Sequence, residues 1–311
     1  MEWLKRWAGK SHRLLTLKLT WRSGLLTVGI LLLVSVSWMA FEARWLKVRI
    51  ERVTVAAWTG KQPLRVVELA DFHVEHLPYR HLERAVDLAL AQQPDVVLLA
   101  GDYTMKELPE PKAEFGRIMR KLAAAVPTFA VYGNHDHAYA FVWEQPITNP
   151  PVGPALQEAG ITVLRNQSRT ITVRGQPVEI DGLGEFWVGD ASPLECLKKK
   201  RTGSGPILVI AHNPDTKDGA MQTLDWDVLF SGHTHGGQIV SPIPGLKPRT
   251  SCADNDRIHG IYDLGNHHTL VVTAGIGCLH GLRFNCRPEV MVIDIVAGAT
   301  GNGKLKVENG K

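Results

Sequence analysis

Five apolar, β-branched runs in this chain each stop on residues that bind hard or borderline metal ions. Leu64–Ala70 (LRVVELA) leads into Asp71-Phe72-His73, Asp95–Ala100 (DVVLLA) into Gly101-Asp102, and Thr128–Tyr132 (TFAVY) into Gly133-Asn134-His135-Asp136. Ile207–Ala211 (ILVIA) leads into His212, and Asp227–Ser231 (DVLFS) into Gly232-His233-Thr234-His235. Runs of this length and composition are strands buried on both faces, and open α/β sheets place ligands at strand ends. Carboxylates, an amide and imidazoles that lie far apart in the chain are thereby directed to one place.

The stretches between these runs complete the pattern. His81–Ala91 (HLERAVDLALA) has the spacing of an amphipathic helix, and Pro94 stops it because proline lacks a donor and restricts its predecessor. Ala113–Ala125 reads as a second helix. Ile161–Arg165, Thr170–Arg174 and Val178–Gly182 read as shorter strands, the last two joined as a hairpin through Gly175. Thr269–Thr273 and Val290–Ile295 add two more. So many strands with fewer helices predict an α/β fold of two stacked sheets between helical layers. Residues 241–260 lack periodicity and are expected to form a long loop over the site, while Ala297–Lys311 reads as a frayed end.

At 311 residues, 44% hydrophobic and 21% charged, the chain has the composition of an ordinary folded protein. Its net charge of +4 is unevenly spread, with ten Lys and Arg against three Glu in residues 1–52, and 25 basic against 28 acidic residues beyond them. A basic tail on a slightly acidic body argues for a membrane surface and against a nucleic-acid groove. Gly24–Phe41 (GLLTVGILLLVSVSWMAF) is 18 residues without a charge and without a polar face. It reads as an uncleaved anchor. A cleaved signal peptide is the rival, through the small-x-small triplet Ser35-Val36-Ser37, and a monotopic anchor is also compatible with Trp38 and Trp45. Basic residues flank both ends, so the positive-inside rule leaves the side of the body undecided. The resulting division is a basic segment at 1–23, the anchor at 24–41, a linker and first strand at 42–60, the folded body at 61–296 and a tail at 297–311.

Taken singly, Asp71-x-His73 reads better as a helix cap or surface polar pair than as a ligand pair, and Gly101-Asp102 as an ordinary turn. Taken jointly, acids and imidazoles at the ends of buried strands call for a partner, and a divalent cation is the simplest one. Cys196, Cys252, Cys278 and Cys286 have no metal spacing and read as buried thiols. His76, His81, His137, His267 and His268 fit no ligand block and are expected on surfaces or loops.

These blocks, in this order, resemble the calcineurin-like metallophosphoesterases, whose motifs run D-x-H, G-D, G-N-H-D/E, H and G-H-x-H. The resemblance spans about residues 60–296. It is strongest to the bacterial membrane-associated branch that acts on phosphodiesters and on UDP-2,3-diacylglucosamine. Gln93-Pro94-Asp95, Tyr103 after Gly101-Asp102, Ala159–Leu164 (AGITVL), Ala211–Asp215 (AHNPD), Gly236-Gly237-Gln238 and Gly281–Glu289 (GLRFNCRPE) carry it. The resemblance implies a four-layer α/β/β/α sandwich of two mixed sheets. It also implies two divalent cations, manganese ahead of iron or zinc. One would be held by Asp71, His73 and His235, the other by Asn134, His212 and His233, with Asp102 between them. His135 would protonate the leaving group or steady transition-state charge, and Asp136 would orient its imidazole. Arg283 and Arg287 are candidates for phosphate contact.

The chemistry so implied is in-line hydrolysis of a phosphodiester or pyrophosphate by a water that the two cations activate. Three readings follow. One is a bacterial inner-membrane enzyme acting on a lipid precursor such as UDP-2,3-diacylglucosamine, in lipid A synthesis. The second is a phosphodiesterase of another lipid-linked or small substrate. The third is a metal-stabilised, membrane-tethered interaction module without activity. A protein phosphatase fits less well, since Tyr103-Thr104-Met105 follows Asp102 where that branch has Asp-Arg-Gly.

Overall fold

The apolar runs become neighbouring strands, and their double-sided burial explains why they show no polar alternation. The computed structural model describes residues 21–105, 107–138, 146–198, 201 and 203–298. The first half comprises helix α1 (Trp21–Glu42), β1 (Lys47–Val55), β2 (Leu64–Leu69), α2 (Tyr79–Ala91), β3 (Val96–Ala100), α3 (Lys112–Ala125), β4 (Thr128–Val131) and α4 (Val152–Glu158). The second half comprises β5 (Thr162–Val163), β6 (Gln167–Val173), β7 (Gln176–Gly182), α5 (Pro193–Cys196), β8 (Ile207–Ile210), β9 (Val228–Ser231), β10 (Gly260–Gly265), β11 (His268–Val272) and β12 (Glu289–Ala297). The expected N-terminal segment up to Thr20, and the tail from Ala299, lie outside the described residues.

The strands form two mixed sheets, ordered β1-β12-β2-β3-β4-β5 and β10-β11-β9-β8-β7-β6. In the first, β2, β3, β4 and β5 run parallel in succession, while β12 enters antiparallel to β2 and parallel to β1. In the second, β7, β8, β9 and β11 are parallel, with β6 and β10 antiparallel at the two edges. Successive side chains of a strand point to opposite faces. On β3, Val97 and Leu99 pack toward α2 and α3, whereas Val96, Leu98 and Ala100 pack into the space between the sheets. That inter-sheet layer also holds Leu64, Val66, Ile180, Leu208, Ile210 and Phe230. On the helical side, Phe115, Ile118, Met119 and Leu122 of α3 are fully buried, each at roughly 1.5–3 kcal/mol of burial.

The outer layer on the second sheet is thinner than expected. Among the described residues it consists of α5 and short 3-10 turns, with Met221, Leu224 and Trp226 packed over Val209, Leu229 and Leu270. The edge strand β10 and helix α4 were not anticipated, because Gly260–Gly265 and Val152–Glu158 carry weak hydrophobic patterns between prolines and glycines. The placement of several histidines is also corrected. His81 is buried in α2 with Nε2 at 2.7 Å from the Ile276 carbonyl. His137 is buried with Nδ1 at 2.7 Å from the Ile147 carbonyl, and His268 stacks on Trp226 at 4.0 Å. These rings are structural and interior, since each has an aromatic face or a carbonyl to satisfy it.

The chain divides into two units, residues 1–38 and 39–311. In the first, α1 exposes Leu25, Leu26, Val28, Ile30, Leu31 and neighbours all around its circumference. Ser23–Glu42 is 20 residues containing an 18-residue window of mean hydropathy 2.1, long and apolar enough to cross a membrane. The second unit holds both sheets.

One buried acid lies on a strand that carries no ligand. Asp181 of β7 is fully buried, and Ser168 faces it across the strand pair. Burial pushes its pKa up to about 7, drawn back only in part by Ser168 across the strand pair. Because the folded value lies above the unfolded one, the wild type loses stability as pH rises through about 7. Asp181→Asn removes that loss. Thermal unfolding should show the variant gaining on the wild type by on the order of 2–4 kcal/mol between pH 5 and pH 8, whereas an unchanged difference would mean that Asp181 is not held neutral.

Candidate metal centre

The ligand-type residues converge because both sheets end together. Asp71 and His73 follow β2, Asp102 follows β3, Asn134 and His135 follow β4, His212 follows β8, and His233 and His235 follow β9. Backbone bonds lash these ends into one rim: Asp71 N–H to Gly101 O at 3.0 Å, His73 N–H to Asp102 O at 3.1 Å, and Gly232 N–H to His212 O at 3.0 Å. Asp71, His73, Asp102, His233 and His235 all adopt positive φ, from 40° to 69°. Left-handed backbone is unfavourable for such residues by roughly 1–2 kcal/mol each, and strain of this kind gathers at functional sites. Two glycines allow the crowding. A Cβ on Gly133 would lie 2.1 Å from Asp102 Oδ1, and one on Gly232 2.7 Å from Asp71 Oδ2.

The donor atoms form two groups that share one residue. Asp71, His73, Asp102 and His235 make the first, and Asp102, His212 and His233 the second, all buried and with ligand atoms within 4.8 Å of one another in each group. In the first, His73 Nε2 and His235 Nε2 face each other at 3.2 Å. In the second, His233 Nδ1 lies 3.2 Å from His212 Nε2 and 3.0 Å from Asn134 Oδ1. His212 Nε2 is 3.1 Å from Asp102 Oδ2, and its Nδ1 is held 2.7 Å from the Ala100 carbonyl.

Charge makes the same demand. Burial holds the His73 and His233 pKa values down at about 3 and pushes His235 well below its ordinary value, so these imidazoles are neutral with lone pairs to give. His212 is drawn to about 10, because the Asp102 carboxylate outweighs its burial. Asp71 is raised to about 7, chiefly by burial, and its Oδ2 has no hydrogen-bond partner. His73, His235 and His233 are neutral acceptors beside buried carboxylates, and His212, drawn up by Asp102, holds a proton where the second group wants positive charge. Two divalent cations fit both groups, and an oxygen-and-imidazole set without thiolate suits manganese, iron or zinc.

Comparison with known proteins agrees with this geometry. The family model for calcineurin-like phosphoesterases matches residues 64–237, which include all seven of these residues. This chain belongs to that family. It is 36% identical over 235 residues to phosphodiesterase YaeI of Escherichia coli (strain K12), covering 75% of this chain and 83% of the relative. It is 26% identical over 280 residues to the UDP-2,3-diacylglucosamine pyrophosphatase LpxG of Chlamydia trachomatis, covering 74% and 83%. It is 28% identical over 239 residues to the uncharacterized metallophosphoesterase YkoQ of Bacillus subtilis (strain 168), again covering 74% and 83%. The protein is accordingly a metal-dependent phosphoester hydrolase, which removes the non-enzymatic reading.

Within this metallophosphoesterase the remaining expected residues separate. His135 lies at the rim, its ring 5.1 Å from that of His73 and its backbone N–H bonded to Asp102 Oδ1 at 3.0 Å. The expectation for Asp136 is corrected. Its carboxylate accepts from the backbone N–H groups of Asp102, Tyr103, Thr104 and Gly133 at 2.8–3.2 Å, so it clamps two loops and does not touch the His135 imidazole. Arg283 is corrected too. It is fully buried, and its guanidinium donates to the carbonyls of Gly277, His235, Cys286 and Ala274, which leaves it no face for a phosphate. Arg287 lies over Trp45 at 3.8 Å and donates to the Trp45 and Leu46 carbonyls, with no contact to the ligand cluster.

Other residues reach the centre unannounced. Trp187 packs edge-on against His233 at 4.5 Å, and Glu185 is buried with its pKa pushed up to about 7 by burial. His76 and His280 face each other at 5.6 Å, with His76 6.3 Å from His73. Ser251, from the long loop, places Oγ 3.0 Å from His233 Nε2. Since Nδ1 is the nitrogen aimed into the cluster, Ser251 accepts the Nε2 proton and fixes the ligating tautomer. No motif marks it, because a lone serine in a loop has no spacing to betray it. Ser251→Ala should weaken one of two Mn²⁺ sites by about 10–100-fold and leave the other, with Ser251→Thr restoring it. Calorimetric titration showing two unaltered sites would exclude this role.

Proposed function

We propose that this enzyme hydrolyses the phosphodiester or pyrophosphate bond of a lipid-linked substrate, with UDP-2,3-diacylglucosamine the leading candidate. α1 serves as an inner-membrane anchor in this reading, and the observation that carries the chemistry is the pair of donor groups sharing Asp102. The lipid-linked substrate is favoured by the apolar span Ser23–Glu42 and by the likeness to a UDP-2,3-diacylglucosamine pyrophosphatase.

Asp71, His73, Asp102 and His235 would hold one cation, and Asp102, Asn134, His212 and His233 the other. Bound there, two cations supply Lewis acidity to phosphate oxygens and acidify a water. The protein's own part is orientation and proton supply. Asp136 fixes the loops that carry Asp102 and His135 by its four backbone bonds. His135 stands at the rim, its position set by the bond to Asp102, where its imidazole gives a proton to the departing oxygen. A water-soluble phosphodiester is the second reading, favoured by the likeness to phosphodiesterase YaeI.

Purified full-length protein with Mn²⁺ should release UMP and the lipid monophosphate from UDP-2,3-diacylglucosamine much faster than it hydrolyses generic diesters. The reverse order would move the assignment to the second reading. His135→Ala should keep its metal content and lose about 10²–10⁴-fold in turnover. Parallel loss of metal would make His135 a ligand and remove it as the acid.

A further inference from the structure

The long loop presents an apolar face that the metal centre does not use. Ile239, Ile243 and Leu246 are 46%, 64% and 61% exposed, and every residue from Pro242 to Lys247 is exposed. From Ile239 to Thr250 the chain carries Lys247, whose ammonium meets Asp256 at 2.6 Å, and Arg249, and no acidic residue. Three large aliphatic side chains beside basic residues, on a turn rich in proline, are poorly suited to water and well suited to an anionic lipid surface.

The base of this loop is tied to the place where the apolar helix ends. Val240 N–H bonds the Phe284 carbonyl and Phe284 N–H bonds the Gln238 carbonyl, both at 2.9 Å. The same segment bonds the last turn of α1, with Arg283 N–H on Met39 O at 3.1 Å and Cys286 N–H on Glu42 Oε1 at 2.8 Å. A cleft of about 360 Å³ is lined at once by Glu42, Lys47, Val240, Pro248 and Arg287. Next to it, Phe41 and Trp45 are exposed, with ring centroids 5.5 Å apart, and Arg287 stacks on Trp45. The apolar stretch ends at Phe41, so an anchored chain leaves the hydrocarbon at this aromatic pair, on whichever side of the membrane the second unit lies.

We propose that the loop 239–249 is a second membrane contact, in which Ile239, Ile243 and Leu246 enter the interfacial layer while Arg249 faces anionic headgroups. This rests on the reading of α1 as an anchor. The loop begins four residues after His235, so its docking fixes the height and tilt of the metal centre over the bilayer. A lipid-linked phosphate would then reach the cations without leaving the membrane.

All four native cysteines are buried, so a single introduced thiol can be labelled selectively in the full-length chain. Ile243→Cys carries a polarity-sensitive fluorophore, and Ser204→Cys, exposed at the end of β8 remote from His212, is the control. Each is reconstituted into vesicles of phosphatidylethanolamine and phosphatidylglycerol with brominated acyl chains. The expected result is a blue shift and strong quenching at 243 with neither at 204. Protein that floats with the vesicles while the label at 243 stays water-exposed overturns the docking and leaves the anchor standing. Protein that fails to float removes both. Equal quenching at the two positions, or a blue shift at 243 in dimers without lipid, also overturns the proposal by giving the loop another occupant.

Discussion

Asp102 is the point on which the centre turns. Its carboxylate belongs to both donor groups, accepts the His135 backbone N–H, and sets the charge of His212. A buried carboxylate with so many claims needs positive charge beside it and backbone donors to fix it. The positive φ of five site residues, the bare Gly133 and the Asp136 clamp are all arrangements that bring other groups within reach of this one side chain. Distort β3 by one residue and both cation positions are lost together.

The centre therefore combines rigidity and exposure in different layers. The strands beneath it are buried on two faces, and their ends are stitched by backbone bonds. Above it lie Trp187, His76, His280 and the loop carrying Ser251, which differ in burial and come from separate segments. Hydrolysis needs the first layer fixed to fractions of an ångström.

The same division governs how much could be read from the chain itself. The runs before Asp71, Asp102, Asn134, His212 and His233 are legible because double-sided burial demands continuous apolar residues, and the ligands follow them directly. Asp136 and Arg283 were misread because their partners are backbone groups, which leave no mark in the composition of either side. A charged residue in a motif block is as easily spent on carbonyls or amides as on substrate. Ser251 and Trp187 were missed because tertiary contact alone gives them a role. The edge strand β10 hid in a glycine-bounded stretch whose pairing with β11 supplies the order its sequence lacks.

The position of β12 has a consequence for biosynthesis. β12, the last strand among the described residues, lies between β1 and β2, which do not pair with each other, and Arg283 just before it holds the carbonyl of His235. Every ligand is thus translated before the segment that braces it. A ribosome that has finished residue 235 has made all seven donors, yet the sheet beneath them still has a gap one strand wide. Non-local pairing of this kind is slow to form. Until the final residues arrive, the nascent chain presents an unpaired edge on either side of that gap, so loss of the C-terminal segment would remove a structural strand as well as a loop.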